Sequence, residues 1–87
     1  MRFISIYQQS KKVLAKGFPT EKLALDFLGW GYEDNDLAPF GIYDSLLSQA
    51  SLYQHDNEPV LCTDPDLIEQ VALTYLASSD RQQKAVR

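Results

Sequence analysis

The chain has 87 residues, 45% of them apolar and 23% charged, with a net charge of −4 at pH 7. That length supports one hydrophobic core and leaves no room for a closed cavity around a large cofactor; the composition is globular rather than disordered. No apolar run approaches the roughly 20 residues of a membrane span, and a single cysteine, Cys62, excludes an internal disulfide, so a reducing cytoplasm is the expected compartment.

Residues 2–7 alternate, with Ile4 and Ile6 on one side and Phe3, Ser5 and Tyr7 on the other. The pattern predicts a strand whose β-branched side is buried. Gln8-Gln9-Ser10-Lys11 reads as a turn and residues 12–18 as a second strand, giving an N-terminal hairpin. A first helix follows, capped by Thr20, with Leu23, Ala24, Phe27 and Leu28 on its apolar stripe at about 100° per residue. Gly29 and Gly31, on either side of Trp30, are expected to stop it. Pro39 introduces a short third strand over residues 40–43.

Residues 44–56 admit two readings. Leu46, Leu47, Ala50 and Tyr53 fit a helix, whereas a loop over 45–49 followed by a strand over 50–54 would make a second hairpin. Three serines in the segment weigh against the helix. The second helix has the strongest signals: Asp64 as cap, Pro65 at its first position, and Leu67, Ile68, Val71, Ala72, Tyr75 and Leu76 along one half of the wheel. Residues 1–77 are expected to form the domain, with 78–87 a fraying polar tail.

The chain also echoes itself. Residues 22–28 match 70–76 in residue type, and Ile4-Ser5-Ile6-Tyr7 matches Phe40-Gly41-Ile42-Tyr43. These matches favour a duplicated strand–strand–helix unit, and with it the hairpin over 40–54. Pairing Val13-Leu14-Ala15 with Val60-Leu61-Cys62 instead would make 45–54 an inserted helix. The resulting expectation is an α+β domain: an antiparallel sheet of three to four strands with two helices on one face.

Charge is unevenly distributed. Residues 1–22 hold five cations against one acid, residues 23–69 hold ten acids and no Lys or Arg, and residues 70–87 hold three cations against one acid. A long cation-free stretch disfavours nucleic acid as a partner, because phosphate contacts need Lys and Arg. It suits a protein partner with a basic surface, though plain solvation explains an acidic surface as well. Trp30 and Tyr32 stand beside Glu33, Asp34 and Asp36, a combination suited to cation–π and ion-pair contacts with such a partner. Phe40 and Tyr43 flank the same loop, Phe40 reading better as core.

Leu25 and Leu73 occupy matched positions roughly 130° and 150° from the centres of their helices' apolar stripes. Side by side, the helices would join them into an apolar strip for a partner or a second copy, making a homodimer a further expectation. Phe3 and Tyr7 would be exposed on the uncovered sheet face.

Catalytic patterns are lacking. Cys62 with His55 and Asp56 is the one nucleophile–base combination available, and nothing in its spacing brings the groups together; Cys62 reads as a small hydrophobe and His55 as a solvated loop residue. The acids at 33–36 lack the calcium-loop pattern, and Gly29-Trp30-Gly31 follows a helix rather than preceding one, unlike a phosphate loop. No enzyme activity, cofactor or metal is expected. The function these features favour is a non-enzymatic interaction or regulatory protein, with an acidic mimic of nucleic acid as the alternative.

Overall fold

The computed structural model of the protein describes residues 2–34, 36–55, 60–61 and 63–86, with side chains described as far as residue 78. The elements in order are β1 (Phe3–Gln9), β2 (Lys12–Phe18), α1 (Glu21–Asp34), β3 (Ala38–Asp44), β4 (Gln49–Leu52) and α2 (Pro65–Val86). The strands form one antiparallel sheet in the order β2-β1-β3-β4. This is the expected α+β domain with four strands and two helices, and residues 49–52 are strand rather than helix.

Local chemistry explains the element ends. The β1–β2 turn is the pair Ser10–Lys11, both with positive φ (53° and 66°), the geometry of a primed two-residue hairpin turn built without glycine. Thr20 caps α1, its Oγ1 accepting the Leu23 N–H at 3.2 Å. Asp64 caps α2 through the Asp66 N–H at 3.0 Å, with Pro65 leading the helix. In the β3–β4 turn, Asp44 Oδ1 accepts the N–H groups of Leu46 and Leu47, and Ser48 takes the left-handed conformation. That turn, pinned by Asp44, is why the helical spacing of Leu46, Leu47, Ala50 and Tyr53 does not produce a helix.

The helices lie on opposite faces of the sheet, which corrects the expectation of one face. Ile4, Ile6, Phe40 and Tyr43 pack with Ile68 and Ala72 of α2. Phe3 and Ile42 pack with Ala24 and Leu28 of α1. No Cα of α1 comes within 8 Å of α2 among the described residues. Alternate residues of β1 therefore enter two separate cores, and Ser5 is fully buried, its hydroxyl donating to the Ala24 carbonyl at 3.0 Å. Phe3 is buried and Tyr7 half-buried, so the face expected to be bare is the one α1 covers.

This layering is also incompatible with a simple duplication. Copies whose central strands pair antiparallel are related by a twofold axis normal to the sheet, and that operation leaves both helices on one face. A shift in the β1–β3 register between Ile6 and Tyr7 breaks the symmetry further, placing Phe40 with Ile4 and Ile6 in the α2 core.

Helix α1 does not stop at its glycines. It continues to Asp34, and Gly31 is buried against Leu37, whose side chain a Cβ at 31 would overlap. The Leu37 N–H donates to the Gly31 carbonyl at 3.0 Å, and Asp36 supplies the left-handed residue that ends the run. Close packing, not a left-handed turn, is the reason for glycine at 31. Leu23, expected in the apolar stripe, is 47% exposed; the buried face is set by Ala24, Leu28 and Gly31. The stripe expected for α2 is correct: Ile68 and Ala72 are buried, and Leu67, Val71, Tyr75 and Leu76 pack around them.

Candidate interaction surface

Helix α1 carries two flanks with different chemistry. On the flank beside β2, Leu23, Phe27, Trp30 and Asp34 follow i, i+4, i+7, i+11 spacing and so share one stripe. Phe27 anchors it: its ring centre lies 5.2 Å from those of Tyr7 and Phe18 and 6.2 Å from that of Trp30. Lys16 places its ammonium 5.3 Å from the Phe27 ring centre and 5.9 Å from that of Phe18. Trp30 stands at the outer end of this row, 53% exposed. Tyr7, Gln9, Lys16, Phe27, Trp30 and Leu37 enclose a shallow concavity of about 210 Å³.

On the opposite flank, the Tyr32 ring lies against that of His55, with centres 4.8 Å apart and the planes tilted by 35°. The Tyr53 hydroxyl is hydrogen-bonded to His55 Nδ1 at 2.9 Å, and His55 Nε2 meets Glu33 Oε1 at 3.3 Å. Gly29 leaves room for this chain, since a Cβ there would stand 3.3 Å from the Tyr53 hydroxyl. His55, expected to be solvated, instead ties the chain beyond β4 to α1, with 17% of its side chain exposed. Among the described residues no group of His, Cys, Asp and Glu could hold a metal ion. Cys62 and Asp56, the other members of the sequence-derived trio, lie outside the described residues.

Trp30 and Tyr32 thus face different ways, and the single aromatic–acidic cluster divides. Trp30 shares its flank with Asp34, whereas Tyr32 and Glu33 belong to the His55 arrangement. Asp34 and Asp36 are exposed at the end of α1, where the helix dipole is negative and the last turn contains no base. Phe40 and Tyr43 are both buried in the α2 core. Leu25 and Leu73 are exposed, 41% and 48%, but stand on opposite sides of the sheet, so the strip they were expected to form does not exist.

The acids do not gather on one side. Asp26 pairs with Lys22 at 3.0 Å. Asp44 receives two hydrogen bonds from the Arg2 guanidinium, at 2.9 and 3.0 Å. The hydrogen bond from Arg2 holds the Asp44 carboxyl below the usual carboxylate range, assisted by the Leu47 and Leu46 N–H groups and opposed by partial desolvation. Asp34, Asp36, Asp66 and Glu69 enter no ion pair among the described residues, and the last two are on α2, beyond the other face. Basic groups near the start of the chain thus neutralise part of the acidic middle.

Sequence reasoning missed Leu23, Phe27, Lys16 and Tyr53 as surface elements, and it missed the contacts of His55. Leu23 and Phe27 were expected on the buried stripe, but the buried centre of α1 is displaced toward Gly31. No helix among the described residues is long and apolar enough to cross a membrane. Comparison of the chain with family models, with curated proteins and with solved structures gives no match.

Proposed function

We propose that the protein is a small, non-enzymatic interaction module of the cytoplasm, with a regulatory role, that docks a protein partner with a basic surface on the outer flank of α1. The observation that carries this reading is Trp30: a large aromatic, half exposed, on the same helical stripe as Asp34, with Asp36 exposed just beyond the helix end. An exposed indole beside carboxylates suits an arginine or lysine side chain, stacking over the ring and pairing with the acids. Two uncompensated acids at the negative end of a helix destabilise the free protein slightly, and a cationic partner would relieve that repulsion. The mimicry alternative requires an unbroken row of carboxylates; the pairing of Asp26 with Lys22 and Asp44 with Arg2 withdraws support from it.

The test uses Trp30 as its own reporter, since the chain contains one tryptophan. The tagged protein is used to capture partners from its native host, alongside Trp30→Ala and an Asp34→Lys/Asp36→Lys variant. A partner captured by the parent and lost by both variants is the expected result, with a blue shift of the parent's indole emission when that partner is added. If both variants capture what the parent captures, the α1 flank is solvated surface and nothing more.

A further inference from the structure

We infer that the free edge of β2 is a docking strand for an extended, acidic–apolar peptide segment, a surface of opposite charge to the α1 flank that adjoins it at Lys16. Strand β2 is one border of the sheet and is seven residues long, against four for β4 on the other border. It is not protected by proline or by a register shift, and its pairing with β1 is regular from Lys12 to Phe18. The Gly17 N–H, not used by β1, donates to the Tyr75 hydroxyl of α2 at 3.3 Å. In an antiparallel ladder this orientation recurs every second residue, so Ala15 and Val13 also turn their N–H and C=O groups outward.

Both faces of this edge offer something to an added strand. On the α2 side, Val13 and Ala15 form with Val71 and Tyr75 the wall of an open apolar groove of about 500 Å³. On the α1 side, Lys12, Leu14 and Lys16 alternate with them, and neither Lys12 nor Lys16 enters an ion pair among the described residues. An incoming strand that presents acids on one face and branched apolar residues on the other complements both at once. The same lysines disfavour a second copy in one of its registers. A twofold β2–β2 pairing centred on Leu14 sets Lys12 of each chain directly opposite Lys16 of the other, like charges at the closest cross-strand distance.

The probe is a capped peptide, Glu-Val-Leu-Val-Glu, whose order reads the same in both directions and sets its acids opposite Lys12 and Lys16. Backbone amide NMR and hydrogen exchange follow its titration into the whole protein. The expected result is shifts and slowed exchange centred on Val13 and Ala15, with affinity about tenfold lower for Lys-Val-Leu-Val-Lys and lost for the non-alternating order Val-Val-Leu-Glu-Glu. Two variants test the contacts separately: Val13→Pro removes an outward donor without touching the β1 ladder, and Lys12→Glu/Lys16→Glu reverses the preference to the lysine peptide. The inference is overturned if shifts fall elsewhere, if both charged peptides bind alike, or if the same amides become protected on raising the protein concentration alone. Trp30, Asp34 and Asp36 are intact in every arm, and the peptide titrations and Val13→Pro also leave Lys16 unchanged, so those arms are independent of the proposed α1 docking.

Discussion

Gly41 in the middle of β3 is the position where the layered arrangement makes its most demanding claim. An ideal Cβ there would lie 2.3 Å from the Ser51 carbonyl oxygen of β4 and 2.4 Å from Cδ1 of Ile68 on α2. Ordinary carbon contacts are about 3.5–4.0 Å, so both neighbours must retreat by more than 1 Å. The isoleucine tip can rotate; the strand carbonyl moves only with its strand. Overpacking of this kind costs about 1–3 kcal/mol, and loss of glycine's freedom in the unfolded chain returns about 0.5–1 kcal/mol. Gly41→Ala should therefore destabilise by about 1 kcal/mol, lowering Tm by about 6 °C for a domain this size.

A double-mutant cycle with Ile68→Val makes the test specific. That change alone costs about 0.5–1.5 kcal/mol. In the Gly41→Ala background it removes the clashing methyl, so it should cost less by about 0.5–1 kcal/mol. Thermal and urea denaturation followed by circular dichroism, for four proteins, supply the numbers. If Gly41→Ala is neutral, or the two changes add within about 0.3 kcal/mol, α2 does not lie over Gly41 and the opposite-face layering is wrong.

The hairpin turn and the Asp44 pair yield two further expectations. Ser10 and Lys11 both occupy the left-handed region, so replacing them with Asn and Gly should stabilise the protein by about 1 kcal/mol, after glycine's entropy is subtracted; an unchanged Tm would show that the turn is not of the primed type. The Asp44 carboxyl is held below its ordinary range by Arg2, so its contribution is complete above the unfolded carboxylate pKa and is lost as pH falls through the folded value. Asp44→Asn should accordingly flatten the acid limb of a stability–pH curve and leave the neutral plateau's slope unchanged, whereas an identical acid limb would mean the pair is not formed in solution.

The candidate site was less legible than the fold. Trp30, Asp34 and Asp36 were singled out because an aromatic beside acids suits contacts with a basic surface, and all three are exposed. Tyr32 and Glu33 could not be separated from them, because adjacent helical residues diverge by about 100° and the helix was expected to end before Tyr32. His55 was missed because its partners are Glu33, 22 residues earlier, and Tyr53, and no local pattern links the three. The Leu25–Leu73 strip failed for a simpler reason: matched positions on two helices become neighbours only when the helices share a face.

Short-range chemistry determined the β1–β2 hairpin, the Thr20 and Asp64 caps, the apolar half of α2 and the antiparallel α+β class, since each depends on residues within a few positions of one another. Only the folded chain decided which side of the sheet each helix covers. Strands β1 and β3 are apolar on both faces, with Phe3 and Tyr7 opposing Ile4 and Ile6 and Ile42 opposing Tyr43, so their alternation carries no preference for either side. A helix's apolar stripe states that it packs, not on what. Resolving that degeneracy took contacts between residues far apart in the chain: Ser5 with Ala24, Gly41 with Ile68, and Gly17 with Tyr75.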